Sequence, residues 1–125
     1  MKKVFTIPNA PAPIGPYSQA IMKNDTLFVS GQIPLNPQTG DLQLKTVQIA
    51  AKQVMENIKA LVETAGLEMN DVVKCSIFLK SMDDFAAVNE VYASYFSSAP
   101  PARETVQVSK LPLDVPVEIS CIAMR

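Results

Sequence analysis

The stretch Val47-Gln48-Ile49-Ala50-Ala51-Lys52-Gln53-Val54-Met55-Glu56-Asn57-Ile58-Lys59-Ala60-Leu61-Val62-Glu63-Thr64-Ala65-Gly66 decides the fold. Val47, Ala50, Ala51, Val54, Ile58, Leu61, Val62 and Ala65 recur at three- and four-residue spacing, which places them on one stripe of an α-helix over 47–65. Lys52, Glu56, Lys59 and Glu63 fall on the opposite side, as two i,i+4 pairs. Gly66 stands where a glycine ends a helix. A one-sided apolar stripe must bury against another layer, and both flanks of this helix read as strands, so that layer is a sheet.

Upstream, a short apolar run at 4–7 meets Pro8, Pro11, Pro13 and Pro16. Prolines lack the N–H that a ladder or helix needs, but their fixed φ suits a rigid loop. Two extended runs follow, at 18–22 and 26–32, separated by Asn24-Asp25, which tolerate positive φ and predict a hairpin turn. Leu27-Phe28-Val29 reads as a strand covered on both faces. A second turn region spans 34–40. Downstream, Val73, Cys75, Ile77 and Leu79 alternate with Lys74, Ser76, Phe78 and Lys80, which predicts a strand with the first set facing the core. Ser81 and Asp84 have capping-box spacing. Phe85, Val88, Tyr92 and Tyr95 then predict a second helix reaching Phe96 and stopped by Pro100 and Pro101. The runs 105–108 and 117–123 are the last strands, joined by a loop holding Pro112 and Pro116.

The predicted order is β-β-β-α-β-α-β-β. The class is α+β: a mixed sheet with two helices packed on one face, forming a single domain over 1–125. No third helix exists to cover the other face, so self-association is the expected cover.

Composition excludes several chemistries. The chain has 125 residues, 48% hydrophobic and 18% charged, with a net charge of −1, no His and no Trp. Arg103 and the final Arg125 are the only arginines. His-based triads, His-ligated metals and an Arg-rich nucleic-acid surface are therefore ruled out. No apolar run is long enough for a membrane span. No export signal is evident, and Cys75 and Cys121 form no CxxC, so reduced thiols in a cytoplasm are the expectation. Templates such as GxGxxG, the Walker lysine loop, HExxH and GxSxG are absent.

Against that background a few polar residues stand out. Arg103 follows Pro100-Pro101-Ala102 and directly precedes a strand; it is the only internal planar fork for a carboxylate, and its alternative is an ordinary surface ion pair. Glu118 lies in the otherwise nearly apolar Val117-Glu118-Ile119-Ser120-Cys121-Ile122-Ala123. It either faces solvent or sits in a partly dry pocket, where its pKa would rise and suit proton transfer. Tyr17 presents a phenol at the end of the proline loop, or packs. Asn89 sits one position past the core residue Val88. Ser30-Gly31 lies late in a strand, where glycine permits close approach by a ligand or marks a bulge. Thr105, two residues beyond Arg103, shares its face. Cys75 and Cys121 read as small hydrophobes with no catalytic role.

These residues fall into a pattern. Asn9-Ala10-Pro11-Ala12-Pro13-Ile14-Gly15-Pro16-Tyr17-Ser18-Gln19-Ala20 resembles the N-terminal signature of the RidA (YjgF-like) imine deaminases. Ser30-Gly31-Gln32-Ile33-Pro34 resembles that family's second motif. The helix from Asp84 to Tyr92, then Pro101-Ala102-Arg103 and Val117-Glu118-Ile119, complete a resemblance over nearly the whole chain. It implies a chorismate-mutase-like fold assembled as a homotrimer, with sites in clefts between subunits. It implies hydrolysis of 2-imino acids, such as 2-iminobutanoate and 2-iminopropanoate, to 2-oxo acids and ammonia, protecting against imine damage, with no cofactor. By residue, Arg103 matches the carboxylate-binding arginine and Glu118 the glutamate associated with the attacking water. Tyr17, Ser30, Gly31 and Asn89 match pocket residues. Thr105 stands where relatives often carry Cys, which rules out thiol chemistry there. Glu104 replaces a usually small residue. The rival reading is a protein that binds 2-oxo acids in the same pocket without turnover.

Overall fold

The computed structural model describes residues 1–10 and 13–125; Pro11 and Ala12 of the proline loop lie outside the described residues. The elements are β1 (Lys3–Phe5), β2 (Ala20–Lys23), β3 (Thr26–Gln32), α1 (Val47–Thr64), β4 (Val72–Leu79), α2 (Phe85–Ala93), β5 (Ala102–Gln107) and β6 (Val117–Met124), in the predicted order. Short 3-10 turns lie at Met69–Asp71, Met82–Asp84 and Pro112–Asp114.

The six strands form one sheet in the order β1-β2-β3-β6-β4-β5. Only β4 and β5 pair in parallel. Parallel neighbours need a crossover, and α2 supplies it. Strand β6 lies between β3 and β4 and is antiparallel to both, so β3 and β4 also run parallel and α1 is their crossover. The helices pack against each other and α1 lies over β3 and β6. This is the predicted mixed α+β layer.

Thr46 caps α1, its hydroxyl accepting from the Ile49 N–H at 3.1 Å. Gly66, at φ 82°, ends it. The Gly66 N–H donates to Glu63 O and the Leu67 N–H to Val62 O, which satisfies two otherwise orphaned carbonyls. Ala50, Ala51, Val54, Met55, Ile58, Leu61 and Val62 are fully buried and meet Leu27, Ile77 and Ile119 from the sheet. Among the described residues no helix is long and apolar enough to cross a membrane.

Asn57 is the one fully polar helical residue in this core, 4% exposed. Its amide donates to Ile33 O at 3.2 Å and Leu35 O at 2.9 Å, and its Oδ1 accepts from Gln53 at 2.9 Å. It therefore ties the chain leaving β3 to α1. Asn57→Ala leaves two carbonyls without their donor and is expected to cost about 2–3 kcal/mol. Urea denaturation checks this: the midpoint falls while the slope stays unchanged.

Four local expectations are corrected. Val73 is exposed and Val72 is buried, because the β4–β6 register shifts between Val72 and Lys74. The alternation is set one residue off at the strand's first turn, and a bulge absorbs the difference. Phe28 is 50% exposed, since the face away from the helices has no cover among the described residues. Strand β5 begins at Ala102, so Arg103 lies within the strand rather than before it. Helix α2 ends at Ala93; Tyr95 and Phe96 continue it only through i→i+3 bonds to Tyr92 and Ala93. Ser81 caps the 3-10 turn ahead of α2 by accepting from the Asp83 N–H, 3.1 Å away.

Candidate functional site

Strand β5 lies at the sheet edge, and its register sets Arg103 beside Cys75 and Thr105 beside Ile77. Cys75 and Ile77 are buried beneath the helices, so Arg103 and Thr105 project to that same side. The Arg103 guanidinium lies 4.9 Å from the Tyr92 ring centroid and 5.7 Å from that of Phe85. Among the described residues it has no carboxylate within ion-pair distance. It opens on a cleft of about 310 Å³ lined by Asn89, Tyr92, Ala93, Phe96, Pro100 and Pro101. The Thr105 hydroxyl oxygen, on the same strand face, is buried with no hydrogen-bond partner among the described residues and does not line the cleft. An unpaired cation and an amide in an otherwise apolar cleft suit a small carboxylate.

Glu104 points the other way. Its carboxylate pairs with Lys74 Nζ at 3.0 Å and accepts from the Ser76 hydroxyl on the open face of the sheet. The Ser76 hydrogen bond, then Lys74, hold its pKa below the usual carboxylate range. Its charge is thus answered by Lys74, not Arg103.

Glu118 also faces the open side, opposite Phe78 on the neighbouring strand. It lies over Gly31. A Cβ built on Gly31 would fall 2.4 Å from Glu118 Oε2 and 2.7 Å from Cδ, so any larger residue there would displace this carboxylate. The β3–β6 register shifts between Val29 and Gln32, around that glycine. The bulge reading of Ser30-Gly31 is met, and the space at the glycine is taken by the Glu118 side chain. Ser30 Oγ donates to Ser18 O at 2.6 Å, which leaves its lone pairs free to accept. Tyr17, half exposed, lines an open-face hollow with Ser18, Ile21, Phe28 and Ser30.

The predicted residues thus form two groups. Arg103, Thr105 and Asn89 gather on the helical side at the β5 edge. Tyr17, Ser30, Gly31 and Glu118 gather on the open side around the end of β3. The sheet separates Arg103 from Glu118 within one chain. Tyr92 and Phe85, read from the sequence only as core positions of α2, hold the guanidinium. Their seven-residue spacing puts both on one helix face, and that was the available signal.

A match to the family model described as Endoribonuclease L-PSP covers residues 7–125. The chain belongs to the Endoribonuclease L-PSP family. That bears out the resemblance read from the motifs. Within this family, the chain is 44% identical to the 2-iminobutanoate/2-iminopropanoate deaminase of Escherichia coli K12, over 100% of this chain and 99% of that one. The fold matches the E. coli YjgF structure at TM-score 0.93 and 44% identity, covering 98% of each chain. It matches E. coli TdcF with bound serine at TM-score 0.93 and 43% identity, again over 98% of each.

Burial raises the Glu118 pKa above the usual carboxylate range. The folded protein therefore holds this proton more tightly than the unfolded chain does. Stability falls as pH climbs from the ordinary glutamate range through the raised value, and the penalty is complete above it. Glu118→Gln is accordingly expected to raise the melting temperature at neutral pH, with the gain vanishing in acid. Thermal melts at both pH values check this.

Proposed function

We propose that this protein hydrolyses 2-imino acids, such as 2-iminobutanoate and 2-iminopropanoate, to 2-oxo acids and ammonia. The proposed site lies between subunits of a homotrimer. The observation that carries the reading is the Arg103 fork, without a carboxylate partner among the described residues and open on the apolar cleft. The kinship with a deaminase at 44% identity supports it.

The division of the site residues supports the assembly. Arg103 and Glu118 project to opposite sides of one sheet, so a substrate can meet both only if a second copy brings its own open-face group to the first copy's β5 edge. The open face suits such contact. Val4, Ile21, Phe28 and Ile122 form one cross-strand row, and Glu118, Phe78 and Val106 follow one another in a second. Apolar rows of this kind are normally covered.

In the proposed reaction Arg103 clamps the substrate carboxylate with two charge-assisted hydrogen bonds. This fixes the C=N carbon against a water held by Glu118 of the neighbouring copy. Glu118 takes a proton from the water as its oxygen bonds to that carbon, and passes that proton to the imine nitrogen to give the carbinolamine. The C–N bond then breaks as the hydroxyl becomes the carbonyl, and the freed carboxylate carries the hydroxyl proton to the departing nitrogen. Imine and water become 2-oxo acid and ammonia. The imine is already electrophilic, so orientation and one proton shuttle suffice. With a base held above the ordinary glutamate range, turnover rises with pH along a limb displaced upward.

The test is a coupled assay in which threonine dehydratase generates 2-iminobutanoate in the presence of semicarbazide. Added protein should speed 2-oxobutanoate release and reduce semicarbazone formation. Binding of 2-oxobutanoate without any such acceleration would instead mark a non-catalytic carboxylate-binding protein.

A further inference from the structure

We infer that Tyr92 is a positioning residue for the substrate carboxylate, acting through its ring, which holds the Arg103 guanidinium in place without neutralising it. The inference rests on the reading of Arg103 as the anion clamp. A long arginine side chain at a sheet edge is usually fixed by a carboxylate. Such a partner would occupy the donors that a substrate needs. Here the guanidinium has no carboxylate partner among the described residues and lies against two aromatic rings instead. Contact with a ring face is electrostatically favourable to a cation and leaves its N–H edge free.

Tyr92 is the nearer ring, at 4.9 Å, and it is 5% exposed. Its other neighbours anchor it. Phe96 lies 4.9 Å away, centroid to centroid, and the Cys75 thiol lies beside the phenol on the strand next to Arg103. Phe85, two turns back on the same face of α2, is 36% exposed and more distant, so it limits the swing of the side chain rather than seating it.

The phenol hydroxyl does no comparable work. It is buried and has no hydrogen-bond partner of normal geometry among the described residues. Burial, then the Cys75 thiol, raise its pKa far above that of a free phenol. It therefore stays neutral and never becomes an anionic rival for the guanidinium. The ring, not the hydroxyl, is the functional part.

Three variants separate these roles: Tyr92→Phe keeps the ring, while Tyr92→Leu and the more volume-conserving Tyr92→Met remove it. Tyr92→Phe should stay within about twofold of the unmodified protein in KM and in 2-oxobutanoate affinity. Tyr92→Leu and Tyr92→Met should weaken both by about three- to thirtyfold, with a smaller change in kcat. A direct readout does not need activity. With only two arginines in the chain, the Arg103 Nε–H resonance is assignable, and the ring current should shift it upfield in the unmodified protein and in Tyr92→Phe. The shift should collapse in Tyr92→Leu and Tyr92→Met, whose folding is checked by their remaining amide spectra.

If Tyr92→Phe loses affinity like Tyr92→Leu, the hydroxyl acts and the inference is wrong. An Arg103 shift and affinity unchanged in both ring-less variants also overturn it. Absence of imine hydrolysis and of 2-oxobutanoate binding in the unmodified protein defeats the functional reading instead. In that case the resonance still decides whether Tyr92 holds Arg103.

Discussion

Arg103→Lys is expected to abolish most of the proposed imine hydrolysis while leaving the fold intact. Lysine keeps one positive charge but loses the planar pair of donors, so a carboxylate is held at one point and can rotate. The C=N carbon then no longer faces its water. Losing one charge-assisted hydrogen bond and the orientation it fixes should cost about 3 kcal/mol of transition-state binding, roughly a hundredfold in kcat/KM. Stability should hold within about 1 kcal/mol, because Arg103 is only half buried and its fixed contacts are aromatic rather than ionic. Steady-state kinetics with freshly generated 2-iminobutanoate, beside a thermal melt, measures both. Near-unmodified activity in this variant would remove the clamp from the mechanism.

A second experiment of comparable size addresses the division of the site. Arg103→Ala and Glu118→Gln chains should each be almost inactive alone. Unfolded together in equal amounts and refolded, they should recover activity. A cleft that takes its arginine from a Glu118→Gln chain and its glutamate from an Arg103→Ala chain is complete. Random mixing makes about a quarter of the clefts complete. Recovery to roughly that fraction is the expected result. No recovery, with mixed assemblies shown to form, would mean that Arg103 and Glu118 do not act on one substrate across an interface.

The two half-sites were legible to different degrees. Arg103 stood out by scarcity and Glu118 by its apolar surroundings, because an isolated guanidinium or buried carboxylate is costly unless used. Gly31 was readable only as a permissive position. That Glu118 is the group it admits follows from the β3–β6 pairing, which joins residues far apart in the chain. Glu104 adjoins Arg103 in sequence. Strand alternation sends the two to opposite faces, and Lys74 and Ser76 from β4 take up the carboxylate. The aromatic support from Tyr92 and Phe85 went unread, since an apolar face on a helix carries the same spacing whether it fills a core or seats a cation.

The sequence by itself determined the order of all eight elements, the extent of α1 to within a residue, and the α+β class. Those features come from local periodicity, capping and proline placement, which act over a few residues. Only the tertiary structure decided the strand order β1-β2-β3-β6-β4-β5 and the insertion of β6 between β3 and β4. It alone placed Val73 outside the core and put Arg103 and Glu118 on opposite sides of the sheet. Registers and faces are set by which distant strands pair and where a bulge falls. A single residue of slip there turns every side chain over, and no local pattern in the chain records it.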